Sequence, residues 1–316
     1  MKTLQILTKT SIFSLVFVLA FFTSACTEMS PYINFDNPTL IDLTCEEKAN
    51  IGTGNFSRTN THFISNDFQE EQCKMVLIEE FSGVRCVRCP AGHERVAKIL
   101  EDYPYEVAAI TMHAGFLSTP YPENKEDYVL EEGTFLYDFF QGIALPAAAI
   151  DRVKFSGEDY AAIVNTNVWS GKVNERLLLN TPINLYTDYE YNSASRELQV
   201  FVRAHYLESF DVSAKHSLTV SLSESKIIDY QLIPKGESSS EIIPNYEHNH
   251  VFRGMLTPSS GMVLEVEKTR GMVVERVFSK ILPPHWKVKN MEIIAFVHDS
   301  SNDNILQTAK KHLEVE

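Results

Sequence analysis

Two cysteines separated by two residues, at the junction of a strand and a helix, constrain the fold of this chain more than any other feature. The motif CVRCP, residues 86–90, follows an apolar run that predicts a strand over 75–81 and precedes a helical pattern over 91–102. A helix start presents unpaired N–H groups and a positive dipole end, which stabilise a thiolate. The pair is therefore a candidate redox centre. Cys86 is expected to be the more exposed nucleophile, and Cys89 the resolving thiol.

The segments on either side of the motif predict an α/β domain over residues 74–180. A second apolar strand is expected over 107–113, and the order strand, helix, strand indicates a parallel βαβ unit. Pro146 heads a later apolar run, where a residue without an N–H group belongs at a strand start or edge. A closing helix is expected over 157–176.

This arrangement resembles the thioredoxin-like proteins, whose redox centre is a cysteine pair of the same spacing before a helix. The resemblance implies that Glu80 is the buried acid that takes the proton of the second thiol. It also implies that Pro146 is a cis-proline beside the cysteines. The chain departs from thioredoxins at Arg85, which stands in place of a tryptophan. The implied catalytic set is Cys86, Cys89, Glu80 and Pro146.

The C-terminal part of the chain has the pattern of an all-β domain. Apolar and polar residues alternate over 198–206 and 218–222, and further short apolar runs follow as far as 307. Gly, Pro, Asn and Ser separate these runs. The pattern predicts an antiparallel immunoglobulin-like β-sandwich over residues 181–316, after the α/β domain.

The N-terminus predicts export and a lipid anchor. Two lysines precede an apolar core over 12–22, which is too short to span a bilayer comfortably. The sequence Thr-Ser-Ala before Cys26 resembles a bacterial lipobox, which implies cleavage after residue 25 and lipid on Cys26. The alternative is an ordinary signal peptide with a chance cysteine. Residues 26–73, polar and punctuated by glycine, are expected to be a tether and N-terminal extension.

Cysteine usage fits an oxidising compartment. All five cysteines lie between positions 26 and 89, and with Cys26 lipidated the remaining four allow three pairings. We favour Cys86–Cys89 together with a structural Cys45–Cys73 disulfide that staples the extension to the first strand. Alternatively, Cys45 and Cys73 are free thiols that exchange with the redox pair.

Charge and motif content exclude several classes of function. A formal net charge of −14 argues against a nucleic-acid partner, and no phosphate-binding glycine loop or nucleophile elbow is present. We expect no cofactor. Two metal sites are possible but not favoured. The first would use Cys86 and Cys89 with His93 and His113. The second is a half-site of His248 and His250, two residues apart on one strand.

The chain resembles the outer-membrane lipoprotein family named for a twenty-eight-kilodalton outer membrane protein. The likeness is carried by residues 76–90, by 248–253, and by Trp286 with the apolar runs that follow it. It implies a lipid-anchored outer-membrane protein with a thioredoxin-like domain and a sandwich. Two functions remain open: thiol–disulfide exchange on envelope proteins, or adhesion and partner binding with the cysteine pair as a structural disulfide.

Overall fold

A computed structural model describes residues 44–50, 59–65, 70–142 and 144–315. The predicted signal segment 1–25 and the predicted lipid-bearing Cys26 lie outside the described residues. Of the predicted extension 26–73, the described parts include one helix and one strand.

The described residues contain four α-helices: α1 (Cys45–Asn50), α2 (Cys89–Asp102), α3 (Glu131–Phe139) and α4 (Trp169–Leu177). Helix α2 begins at the second cysteine of the motif, and Pro90 stands in its first turn, where a missing N–H is tolerated. The expected helix over 157–176 is wrong in its first half. Residues 162–163 form a strand, and the side chain of Asn165 accepts a hydrogen bond from the N–H of Asn167 in a short 3₁₀ turn before α4 begins.

Fifteen strands are described, and most pair antiparallel. In chain order they are β1 (Asn60–Phe63), β2 (Val76–Ser82), β3 (Val107–His113), β4 (Ala147–Ile150), β5 (Ala162–Ile163), β6 (Ile183–Asn192), β7 (Glu197–Tyr206), β8 (His216–Glu224), β9 (Ile227–Pro234), β10 (Ser240–His248), β11 (Val251–Met255), β12 (Met262–Val263), β13 (Met272–Ile281), β14 (Met291–Asp299) and β15 (Ile305–His312). The protein is therefore mainly a β protein.

One long sheet runs through strands from both sides of the predicted boundary near residue 180. Its order is β15-β14-β8-β11-β3-β2-β4-β5, and β12 pairs with β8 as the ninth strand. Strands β2 and β3 are parallel, which is the pairing that the βαβ prediction requires. Strand β11 joins the two parts, because it pairs parallel with β3 at Val251–Thr111 and antiparallel with β8.

Three apolar layers stabilise this sheet. Val96 and Ile99 of α2 pack with Trp169 and Val173 of α4 on one face of β2 and β3. Leu136 of α3 packs on the opposite face. A second sheet, of order β1-β13-β7-β6, contributes its buried residues to the same core as β8, β14 and β15. Strands β9 and β10 form a separate two-stranded hairpin, and this hairpin reaches the cysteine motif.

Candidate functional site

The two cysteines of the motif form a disulfide with a Cα–Cα distance of 5.3 Å. Cys89 is the first residue of α2, and Cys86 lies in the preceding turn, where its carbonyl accepts from the Cys89 N–H at 3.2 Å. Both side chains are enclosed: Cys86 is 1% exposed and Cys89 0%. The expectation that Cys86 is the exposed thiol is therefore wrong for this state of the molecule.

The β9–β10 hairpin is hydrogen-bonded to the turn that carries Cys86. The Leu232 N–H donates to the Val84 carbonyl at 2.8 Å. The Gln231 side-chain amide donates to the carbonyls of Gly83 at 3.3 Å and Cys86 at 3.2 Å. The hairpin thus forms hydrogen bonds directly with the backbone of residues 83–86, in the turn before α2 that is called the redox turn below. The sequence does not predict this contact, because Gln231 and Cys86 are 145 residues apart.

A second set of bonds fixes the hairpin to the segment before α3. The Tyr128 hydroxyl donates to the Asp229 carboxylate at 2.6 Å, and the Lys125 N–H donates to the same carboxylate at 3.0 Å. These hydrogen bonds lower the pKa of Asp229 despite burial. The contact is charge-assisted, so it holds the hairpin more firmly than neutral hydrogen bonds would.

Glu80 lies on β2 with its side chain wholly enclosed. The Thr111 hydroxyl donates to its Oε2 at 3.0 Å, whereas Oε1 has no hydrogen-bond partner. Burial raises the pKa of Glu80 to about 8. The neighbouring Glu79 is equally buried, but Arg152 binds its two oxygens at 2.7 Å each. Glu79 is therefore a paired structural acid, whereas Glu80 has no cationic partner and holds its proton up to about pH 8.

Glu80, Pro146 and α2 meet at Gly92. A Cβ atom on Gly92 would lie 2.6 Å from Oε1 of Glu80 and 2.9 Å from Cβ of Pro146. Gly92 stands three residues after Cys89 on the same helix. The Leu145–Pro146 bond is cis, as the resemblance implies, and Pro146 is buried directly before β4. The acid and the proline predicted from the sequence thus lie side by side against the helix that carries the cysteines.

Five aromatic and imidazole rings form a cluster beside Glu80: His93, His113, Tyr128, Tyr246 and His248. The ring of His93 bridges two elements, since Nε2 is 2.8 Å from the Ser82 hydroxyl and Nδ1 is 2.6 Å from the Tyr246 hydroxyl. Burial lowers the pKa of His93, His113 and His248, so all three rings are neutral near pH 7.

The histidines form neither of the two metal sites that the sequence makes possible. Strand β10 ends at His248, whereas His250 has a left-handed φ of +56°, so the two do not share a strand face. Across the residues with described coordinates, no group of three or more His, Cys, Asp or Glu side chains is placed to hold a metal ion.

The other cysteine pair lies at the opposite end of β2. Cys45 and Cys73 form a disulfide with a Cα–Cα distance of 5.4 Å, and both residues are partly exposed. The Gln307 amide donates to the Cys73 carbonyl at 3.0 Å. This disulfide ties α1 to the chain just before β2.

The family follows from a match over more than half of the chain. The family model "Outer membrane protein Omp28" matches residues 134–316. The chain belongs to this family. Members of the Omp28 family are outer membrane proteins, and the outer membrane is the location of this one. The matched range begins after Cys89, so family membership leaves the role of the cysteine pair open. No helix in the described part of the chain is long and apolar enough to cross a membrane.

Solved structures are similar in fold only. HBP35 of Porphyromonas gingivalis is 18% identical, with a TM-score of 0.57, over 76% of this chain and 75% of that one. A domain of the outer membrane lipoprotein Omp28 from Porphyromonas gingivalis is 20% identical, with a TM-score of 0.30, over 42% of this chain and 89% of that one. None of the curated proteins compared with the chain matches it.

Proposed function

We propose that this Omp28-family protein carries out thiol–disulfide exchange on proteins of the cell envelope. The observation that carries the proposal is the enclosed Glu80 beside Pro146 and the cysteine-bearing helix, with its pKa raised to about 8. Burying a carboxyl group without a cationic partner is unfavourable, and such groups concentrate at sites of proton transfer.

Each residue of the site has a distinct role in this proposal. The Cys86 thiolate attacks a substrate disulfide, and Cys89 resolves the resulting mixed disulfide. Glu80 accepts the Cys89 proton, and Pro146 shapes the surface beside the sulfurs. Because Cys86 is buried and the hairpin is hydrogen-bonded to its turn, exchange also requires β9 and β10 to move away from the redox turn.

The domain plan that accompanies this function is also a proposal. Residues 74–180 would form a thioredoxin-like domain, and residues 181–316 an immunoglobulin-like sandwich. The parallel β2–β3 pair, the cis proline before β4 and the antiparallel strands after residue 180 support this division. Residues 1–25 would be a signal peptide, and lipid on Cys26 would anchor the chain through the tether that follows.

Trapping of mixed disulfides tests the exchange function. A Cys89→Ser variant retains the attacking thiol but cannot resolve the intermediate, so envelope proteins should remain covalently bound to it. A Cys86→Ser/Cys89→Ser variant is the matched control. Adducts on the first variant and none on the second are expected. Equal recovery on both variants, or no adduct on either, would contradict the proposal.

The second candidate function is partner binding with a permanently structural Cys86–Cys89 disulfide. The burial of both cysteines and the hairpin bonds to Gly83, Val84 and Cys86 favour it, because a substrate disulfide cannot reach the sulfurs in this arrangement. In this case the Cys86→Ser/Cys89→Ser variant should bind envelope partners as well as the unmodified protein does. Loss of exchange chemistry with retained binding would separate the two functions.

A further inference from the structure

We propose that His93 carries the proton of Glu80 to and from solvent, and that Tyr246 of the β9–β10 hairpin orients the His93 ring. The inference deepens the proposed exchange function and rests on it. Neither residue belongs to the set that the cysteine motif implies.

The exchange cycle needs an exit for one proton. The Cys86 thiolate attacks a protein disulfide and displaces one substrate thiolate. Cys89 then gives its S–H proton to the Glu80 carboxylate, attacks the Cys86 sulfur and displaces the second substrate thiolate. Two electrons pass from the protein sulfurs to the substrate, which becomes a dithiol. Because its pKa is about 8, Glu80 is largely protonated near pH 7, so its proton must leave for water before Glu80 can accept that of Cys89, and Glu80 is protonated again after the transfer.

Glu80 has no direct contact with solvent, because its residue exposure is 0%. Thr111 occupies Oε2, and an alcohol at that position is a poor carrier of a proton at neutral pH. The unpartnered Oε1 lies 4.0 Å from Nε2 of His93. A small rotation of the ring or one intervening water bridges this distance.

His93 connects that interior oxygen to the outside. Its side chain is 17% exposed, whereas His113 and His248 are 1% and 2% exposed. A neutral imidazole has one donor and one acceptor nitrogen, so the ring takes a proton at Nε2 while it gives one from Nδ1 to the Tyr246 hydroxyl, which passes its own proton to water. The 2.6 Å contact between Nδ1 and the Tyr246 hydroxyl fixes the ring with Nε2 towards Glu80 and Ser82.

The titratable groups that face His93 come from four elements. They are Glu80 of β2, His113 of β3, Tyr246 and His248 of β10, and His250 before β11. Burial and the neighbouring imidazoles lower the pKa of His93, so the ring does not store the proton. A carrier that remains neutral between transfers suits this position.

A two-step probe reaction isolates the proton-dependent step. A Cys26→Ser/Cys45→Ser/Cys73→Ser form of the full chain, in which Cys86 and Cys89 are the only cysteines, is reduced to two free thiols and mixed with an aromatic disulfide whose released thiolate is coloured. Attack by Cys86 releases the first thiolate, and resolution by Cys89 releases the second. The first step involves no proton transfer to Glu80, whereas the second step requires Glu80 to have lost its proton and to accept that of Cys89.

His93→Gln should slow the second release by about tenfold or more and leave the first unchanged. Millimolar imidazole should restore part of the second rate, which a merely structural loss would not allow. Tyr246→Phe keeps the ring packing but removes the hydroxyl, and should slow the second release by about fivefold. The dependence of the second rate on pH between 6 and 9 should weaken in His93→Gln.

The outcomes separate this inference from the function on which it rests. Two releases in the unmodified protein with an unchanged second rate in both variants would overturn the role of His93 and leave exchange intact. The absence of a first release in the unmodified protein would overturn both. Equal slowing of both steps in His93→Gln, without imidazole rescue, would show a packing role and overturn the proton route.

Discussion

The two disulfides lie at opposite ends of β2 and differ in nearly every respect. Cys45–Cys73 joins residues 28 positions apart, and both of its cysteines are partly exposed. Cys86–Cys89 joins residues three apart and is enclosed. The long-range pair ties a short helix to the chain before β2, whereas the short-range pair opens α2. Only Cys86–Cys89 lies at the start of the helix whose Gly92 approaches Glu80 and Pro146.

The difference shows that accessibility and chemical role are separate properties of a disulfide. The more reachable pair is placed as a staple, since closing a long loop constrains the unfolded chain most. The enclosed pair lies at a helix start, and in the proposed function Glu80 accepts its proton. A test of function must therefore measure the rate of exchange at each disulfide separately from the contribution of that disulfide to the free energy of unfolding.

Removal of the attacking thiol should have the largest effect on exchange. Cys86→Ser should abolish reduction of a protein disulfide, because in the proposed mechanism only Cys86 attacks the substrate. Cys45→Ser/Cys73→Ser should retain exchange. The measurement is the initial rate with a disulfide-bonded protein substrate under a dithiol reductant. A comparable loss of the initial rate in both variants would show that the two disulfides do not differ in their role in exchange.

For stability, we expect the larger loss on removal of the Cys45–Cys73 disulfide. Loss of the Cys45–Cys73 disulfide should lower the free energy of unfolding by about 4 kcal/mol, and loss of Cys86–Cys89 by about 2 kcal/mol, from the loop lengths closed. Urea denaturation of the two double-serine variants checks this difference. A larger loss on removal of the short-range pair would mark it as the structural disulfide.

The pH dependence of stability should reveal Glu80. The folded protein keeps the Glu80 proton up to about pH 8, whereas the unfolded chain releases it near pH 4.5. The folded state therefore binds more protons in this interval, and its stability falls as pH rises. Below pH 6.5 the buried histidines act in the opposite sense, because their pKa values are lowered.

The window from pH 6.5 to 8 isolates the carboxyl group. There the unmodified protein should lose about 2 kcal/mol relative to Glu80→Gln, which cannot titrate. Urea denaturation at several pH values measures the difference. Parallel pH curves for the two proteins would mean that Glu80 is ionised in the fold.

The close approach at Gly92 should give a smaller effect. Gly92→Ala places a Cβ 2.6 Å from the Glu80 carboxyl and 2.9 Å from Pro146, so we expect a loss of about 2 kcal/mol. Gly171→Ala in α4 is the matched control, because a Cβ there meets nothing within 4 Å. The control should be neutral or stabilising by up to about 1 kcal/mol. Thermal denaturation that ranks the two variants the other way would contradict the packing described at the site.

The sequence predicts the centre of the site because its signals are local. Strand β2 begins with an apolar run, α2 follows the motif with Pro90 in its first turn, and β3 is buried at every position. Period-two alternation likewise marks the antiparallel strands after residue 180.

The position of the β9–β10 hairpin over the site could not be predicted from the sequence, because it depends on contacts between distant segments. Gln231 reaches the redox turn by way of a hairpin whose outer strand, β10, is largely exposed and carries no distinctive pattern. The junction of β11 with β3 depends on the left-handed turn at His250. Tyr246 and His93 meet across 153 residues, and neither lies in a recognisable motif.

The reduction potential of the Cys86–Cys89 disulfide decides between an exchanging and a structural role for this pair. It is measured on the full chain by equilibration with glutathione or dithiothreitol, with Cys45–Cys73 as the internal comparison. An exchanging site predicts a potential above about −250 mV for Cys86–Cys89, higher than that of the staple. A value below about −300 mV would show a permanent structural disulfide and contradict the account.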